Sequence, residues 1–258
     1  MIIVRYITII FFLVFIPLFT LTASFAESEK HTHHAHWDYY GACGPEHWGE
    51  LSPEYCKCGK GRRQSPISIT VTEKEKLDNI EFNYYPTHLK VLNTGHTLQT
   101  NYEKGSYIKI NNHRYNLIQF HFHFPSEHHV HGISYDMEAH FVHKDKKGRL
   151  AVVAVFMEEG RTNDFLYNLW KDIPHETGKE NLNSAIKINA GEFLPEEKGY
   201  YTYSGSLTTP PGTEHVSWFV LKKPVEVSPV QVEKFHTLFE KSARPIQHPF
   251  GRTVKESY

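Results

Sequence analysis

The chain has 258 residues, with 28 basic and 29 acidic side chains and a formal charge of −1. Neither sign gathers into a long block, so nothing in the charge pattern calls for nucleic acid as a partner. Only one apolar stretch is long enough to cross a bilayer, and it stands at the very start, which argues against a multi-span membrane protein.

That first stretch reads as a leader. Arg5 is its sole charge, Ile7 to Leu21 is apolar, and Ser24-Phe25-Ala26 offers small residues for cleavage after Ala26. An uncleaved anchor is the alternative. Either way the folded part is expected to be exported, to the periplasm or the medium, with no membrane contact once the leader is removed. Cutting off 26 residues leaves 232, which suits one large domain over 27–258. Its first part, 27–36, carries His31, His33, His34 and His36 and is expected to be a flexible His-rich tail.

Three cysteines stand at 43, 56 and 58. Export permits a disulfide, and Cys43 with either Cys56 or Cys58 would tie down the N-terminal arm. Cys56 and Cys58 are too close in an extended chain for ordinary disulfide geometry. The thiol left over could bridge two chains. A zinc site built from the three cysteines and a nearby histidine is the other reading.

From His36 to Gln64 the chain is rich in Gly, Pro and aromatics and reads as an irregular arm with a helical turn near Pro45 to Trp48. Short strands are expected at Ile67 to Val71, Leu77 to Phe82, His88 to Asn93 and Leu98 to Tyr102. Tyr107 to Ile110 and Tyr115 to Phe124 flank a tight hairpin at Asn111-Asn112-His113. Met137 to His143 is the next strand, and the apolar run LAVVAVF at 150–156 reads as a central one. Helix is expected at Asp164 to Lys171, at Asn181 to Ile186 and, best marked, at Ser228 to Glu240, where Ser228 caps and Pro229 suits the first position. Glu214 to Leu221 reads as a strand ending before Pro224, with Val216 and Trp218 on one face. The pattern is mostly β: a single domain with one largely antiparallel sheet and small helices at its edge.

Residues 119–143, QFHFHFPSEHHVHGISYDMEAHFVH, carry the chemistry. At strand period, Gln119, His121 and His123 share one face, and Ile118, Phe120, Phe122 and Phe124 the other. The run MEAHFVH puts Glu138 and His140 on one face by the same rule. If the two strands are neighbours, His121, His123 and His140 converge. Three neutral imidazoles with one open position is the ligand set of a catalytic zinc. Each ligand then needs a partner on its other ring nitrogen. Gln119 suits His121, Glu138 suits its own strand or the neighbouring one, and a backbone carbonyl is left for His123. His128, His129 and His131 are expected in a loop at the rim.

Seven motifs, two of them within these residues, resemble the alpha-class carbonic anhydrases of bacterial type. The motifs are GPEHWG at 44–49, RQSPISI at 63–69, NTGHT at 93–97, QFHFHFPSEH at 119–128, EAHFVH at 138–143, GSLTTPP at 205–211 and ARPIQ at 243–247. The resemblance runs from His36-Trp37 to about Arg252. It implies a twisted, mostly antiparallel ten-stranded sheet with zinc at the bottom of a cone. It implies a lyase, carbonate dehydratase, that hydrates carbon dioxide reversibly to bicarbonate and a proton through zinc-bound hydroxide. The zinc ligands fall on His121, His123 and His140, and the proton-shuttling histidine on His96. The gatekeeping pair falls on Thr208 and Glu127, and a second pocket threonine on Thr209. The apolar wall falls on Val142, Val152, Leu207, Val216 and Trp218. Anions and sulfonamides are the inhibitors implied, and a homodimer the assembly.

Four positions depart from the family pattern. Thr94 and Gln99 stand where asparagines often help order water between metal and shuttle. Gly212 stands where bacterial relatives carry a cysteine, so their usual intrachain disulfide cannot form. Ser242 replaces an asparagine whose backbone carbonyl orients the second ligand, a role that serine keeps. Two rival readings are weaker. His121, His123 and Glu127 make the first half of a cupin-like HxHxxxE metal motif, but no convincing second half follows. A zinc-buffering protein without catalysis is the other.

Overall fold

A computed structural model describes residues 35–258 of the chain. The expected leader over 1–26 and most of the His-rich tail over 27–36 lie outside the described residues, and the expectation of export rests on them.

The strand Leu150–Glu159 is the axis of the fold. On one face Val153 and Val155 join Phe120, Phe122, Ala139 and Phe141 in the larger apolar cluster. On the other, Val152, Ala154 and Phe156 join Val216 and Trp218 in a smaller one. Burial on both faces is why this segment is apolar without alternation. Its neighbours are Met137–Lys144, antiparallel, and Glu214–Val227, parallel. His113–His123 lies antiparallel to Met137–Lys144 with His121 opposite His140 and His123 opposite Glu138. Outward from there come Leu98–Asn101, Thr87–Asn93 and Glu180–Ile188. Beyond Glu214–Val227 come Tyr200–Ser206, Lys255–Ser257 and Glu73–Glu75. This hydrogen-bonded path holds ten strands, and two that branch from it bring the sheet to twelve, where the resemblance implied ten. Glu81–Asn83 and Tyr107–Ile110 branch from it beside His113–His123, and Ser68–Ile69 pairs separately with His129–Val130.

Local chemistry explains most boundaries. Asn111 and Asn112 take φ of 49° and 58°, as a two-residue hairpin turn of the mirror-image type requires. The helix Pro229–His236 begins with Ser228 accepting from the Gln231 main-chain N–H while the Gln231 side chain returns to Ser228 N–H, a complete capping box. Asp164–Leu169 is capped by Asn163.

Four expectations are corrected. Asn181 to Ile186 is not helix but part of the strand Glu180–Ile188, paired with Thr87–Asn93 at the end of the sheet. Its residues are mostly exposed, so no apolar stripe holds a helix there, while sheet pairing satisfies its backbone. The strand starting at Glu214 does not stop before Pro224 but runs to Val227. Its pairing shifts between Val155 and Met157, and Pro224 falls in that irregularity, where no ladder donor is needed. The expected strand at Leu77 to Phe82 is confined to Glu81–Asn83, and the parallel strand Glu73–Glu75 escaped the pattern because all three residues are exposed. No disulfide forms either: Cys43, Cys56 and Cys58 are all free. Cys58 is buried in the small cluster with Tyr39, Trp48 and Tyr55, facing the backbone of Gly212, where no partner thiol exists.

Candidate metal centre and active-site cavity

The two strands His113–His123 and Met137–Lys144 bring three imidazoles together. Ring centroids of His121 and His123 are 4.9 Å apart, those of His121 and His140 5.3 Å, and those of His123 and His140 4.4 Å. One ring nitrogen from each lies within 4.8 Å of those of the other two.

The opposite nitrogens are all engaged. His121 Nδ1 donates to Gln119 Oε1 at 2.9 Å. His123 Nδ1 donates to the Ser242 carbonyl at 2.5 Å. His140 Nε2 donates to Glu138 Oε1 at 2.8 Å. These bonds fix the tautomers and leave Nε2 of His121, Nε2 of His123 and Nδ1 of His140 bare. His123 Nε2 is buried with no hydrogen-bond partner, a cost that a cation would relieve. Burial, together with the neighbouring His123 and His140, holds the His121 imidazole well below its ordinary pKa. Burial lowers His123 as well, despite the opposing Glu127 charge. Both are neutral near pH 7, as ligands must be.

Two buried carboxylates flank the imidazoles. Burial pushes the Glu138 carboxyl up, but His128 and His140 outweigh it and hold it well below the usual carboxylate range. Glu127 Oε1 accepts the Arg244 main-chain N–H at 2.9 Å. Its Oε2 has no hydrogen-bond partner and lies 3.6 Å from His123 Nε2 and 3.9 Å from His140 Nδ1. Three bare ring nitrogens with two buried carboxyl groups beside them suit a divalent borderline metal such as zinc.

A second grouping, His128 with Glu138 and His140, is a hydrogen-bonded network. His128 Nδ1 donates to Glu138 Oε1 at 2.7 Å, and its Nε2 accepts from the Tyr203 hydroxyl at 2.6 Å. With both nitrogens used, His128 has none for a metal. The expectation of His128 in a rim loop is thereby corrected: it is fully buried and supports Glu138. Sequence reasoning missed this because a histidine following a motif looks like every other surface histidine. The signal available was Glu138 itself, a buried carboxylate that needs more than one donor.

A cavity of about 200 Å³ opens beside the imidazoles, lined by His121, His123, His96, Thr209, Gln99, Gln119, Thr94, Thr97, Trp37 and Tyr39. Trp37 and Tyr39 were missed as lining residues, since an irregular arm gives no periodicity to place them. His96 stacks on Trp37 with ring centroids 3.8 Å apart and 10° between planes, and its Nε2 donates to the Trp37 carbonyl at 3.0 Å. Thr94 Oγ1 accepts from His96 N–H and Thr97 N–H and donates to the Thr97 carbonyl. A hydroxyl has one donor and two acceptor sites, so Thr94 has nothing left for the cavity. Thr208 is buried, and Val142 and Leu207 pack on the cluster of Val152, Val216 and Trp218. Trp218 meets the His140 ring edge-on at 4.9 Å.

Residues 43–258 match the family described as eukaryotic-type carbonic anhydrase. The chain is 44% identical over 226 residues to a carbonic anhydrase of Nostoc sp., covering 86% of each. It is 44% identical over 228 residues to one of Neisseria gonorrhoeae, covering 88% of this chain and 90% of the relative. Among solved structures, the alpha-carbonic anhydrase of Thermovibrio ammonificans in complex with sulfanilamide superposes with a TM-score of 0.84 at 44% identity, covering 86% of this chain and 99% of that one. With the fold, the converging histidines and these likenesses in agreement, the chain belongs to the alpha-class carbonic anhydrase family.

Proposed function

We propose that the chain catalyses the reversible hydration of carbon dioxide to bicarbonate and a proton, at a zinc held by His121, His123 and His140 and with His96 as the proton shuttle. The observation that carries this reading is the set of three bare ring nitrogens whose opposite nitrogens are pinned by Gln119, Glu138 and Ser242. When bound there, zinc lowers the pKa of a water ligand to about 7 and so supplies hydroxide at neutral pH.

The protein's own residues do the rest. Carbon dioxide is small and apolar, and we assign its apolar wall to Val142, Val152, Leu207, Val216 and Trp218, which pack in one cluster whose Trp218 ring meets His140. Thr208 is the residue we assign to orient the attacking oxygen, accepting a hydrogen bond from it and donating one to Glu127 Oε2, a buried carboxylate oxygen that has no hydrogen-bond partner. Thr209 sits in the cavity wall to meet substrate or inhibitor. Each carbon dioxide hydrated yields one bicarbonate and one proton. One proton must then leave. His96 lines the same cavity, and an imidazole can take a proton on one nitrogen and release it to solvent. Because its Nε2 is held by the Trp37 carbonyl, Nδ1 is the nitrogen free to exchange in this orientation. Thr94 is spent on its own turn, which leaves Gln99 to order water along the way.

Sulfonamides and small anions are the inhibitors this site would take, as the sulfanilamide complex of the Thermovibrio ammonificans relative suggests. The test is carbon dioxide hydration by stopped-flow, before and after a zinc chelator. Activity that vanishes with chelation and returns with zinc supports the proposal. Full activity in rigorously metal-free protein would refute it.

A further inference from the structure

The loop between the strands Tyr200–Ser206 and Glu214–Val227 carries Thr208, and its two feet are tied to consecutive residues of the N-terminal arm. At one foot, Ser65 N–H donates to Ser206 Oγ at 2.9 Å and Ser206 N–H returns to Ser65 Oγ at 3.0 Å. At the other, Gln64 Nε2 donates to the Gly212 carbonyl at 2.9 Å and to Glu214 Oε1 at 3.2 Å. The loop closes on itself between these feet, through Leu207 N–H to the Thr213 carbonyl and Gly212 N–H to the Thr209 carbonyl.

Both ties converge on one guanidinium. Arg244 Nη1 donates to Gln64 Oε1 at 2.8 Å and to the Ser65 carbonyl at 2.9 Å. The main-chain N–H of the same residue holds Glu127 Oε1 at 2.9 Å. Gln64 and Arg244 are 3% and 2% exposed, so water does not compete for these bonds. Gly212 presses on the amide from the loop side. Its φ is +67°, and a Cβ there would come within 2.9 Å of Gln64 Oε1.

We propose that Gln64 is a positioning residue for the reaction: through Arg244 it sets where the Thr208 loop stands relative to Glu127. The amide nitrogen of Gln64 bonds Gly212 and Glu214 at the far foot of the loop and its oxygen goes to Arg244, so it is a strut between the loop that carries Thr208 and the residue whose main chain holds Glu127. The proposal rests on the reading of Thr208 and Glu127 as the pair that orients the attacking oxygen. Gln64 touches neither substrate nor ligand histidine, and its effect must pass through Thr208.

The experiment compares Gln64→Met, Thr208→Ala and the double variant. Zinc content, melting temperature, kcat and KM for carbon dioxide hydration are measured on each. Gln64→Met should keep the wild-type zinc content, since no ligand or ligand partner is changed. Its kcat should fall between about tenfold and 100-fold, the range that a small misplacement commands, with little change in KM. In the Thr208→Ala background, Gln64→Met should cost nothing further, because residues acting as a unit are non-additive. Wild-type kcat in Gln64→Met, with Thr208→Ala impaired, would overturn the strut and leave the Thr208 reading standing. Independent, multiplying losses in the double variant, or loss of zinc with kcat, would show a merely structural role and overturn it too. Wild-type kcat in Thr208→Ala would overturn both readings together. If Gln64→Met fails to fold, Gln64→Asn carries the same comparison, since it keeps the amide and shortens the strut by one methylene.

Discussion

Glu138 Oε1 accepts from His140 Nε2 at 2.8 Å, and this bond decides which face of His140 is free. His121 and His123 are pinned through Nδ1, whereas His140 is pinned through Nε2. The third ligand therefore offers the opposite nitrogen from the first two. Glu138 is itself held, by His128 Nδ1 at 2.7 Å and His128 N–H at 2.8 Å, with Tyr203 and Ser65 continuing the chain of bonds.

Replacing Glu138 with Ala should therefore weaken zinc binding without removing a ligand. A partner of this kind is worth about 10-fold to 100-fold in metal affinity. Competition with a fluorescent zinc chelator reads the change, and an unaltered affinity would mean that Glu138 does not orient His140.

His121→Ala removes a ligand outright. Hydration activity should be lost along with stoichiometric zinc, as measured by metal analysis of the purified variant. Retention of a full zinc equivalent would place the ion elsewhere.

His96→Ala should leave zinc bound and slow turnover, and small imidazole buffers should restore the rate by carrying the proton from the cavity. Trp37→Ala should alter kcat in the same assay, because Trp37 supplies both the stacked ring and the carbonyl that hold His96. Failure of such buffers to rescue His96→Ala would mean that the shuttle lies at another residue.

The buried His143 gives a pH dependence of stability. Burial drops its pKa from 6.5 to about 3, and its Nε2 accepts from the Tyr84 hydroxyl at 2.8 Å. The unfolded chain takes up this proton below about pH 6.5, whereas the folded chain resists until about pH 3. More protons are bound by the unfolded state in that window, so stability falls as pH falls through it, by at most about 1.4 kcal/mol per pH unit for this group. Urea unfolding of wild type and His143→Gln at pH 7 and pH 5 should show the smaller loss in the variant. Equal losses would exclude His143 as a source.

The part of the site that follows a period was legible in the sequence. Strand alternation put His121 and His123 on one face and Phe120 and Phe122 on the other, and the pairing of His121 with His140 completes what alternation could only allow. Gln119 and Glu138 were legible because a partner two residues away along a strand shares its neighbour's face. The rest depended on contacts between distant segments. Ser242 reaches His123 across 119 positions, a pair that the family resemblance supplied and no local pattern could, and Arg244 reaches Gln64 across 180, which neither foretold. The strand Glu180–Ile188 was read as helix for a related reason, since an exposed strand at the end of a sheet is defined by its neighbour and not by its own composition.

The proposed chemistry needs a single metal held by His121 Nε2, His123 Nε2 and His140 Nδ1 with one position left open. Anomalous diffraction at the zinc edge from zinc-loaded crystals tests it most directly. One peak bonded to those three nitrogens, at about 2.0–2.1 Å each and with no fourth protein ligand, is expected. A peak between His128, Glu138 and His140, or one enclosed by Glu127 as a fourth ligand, would contradict it.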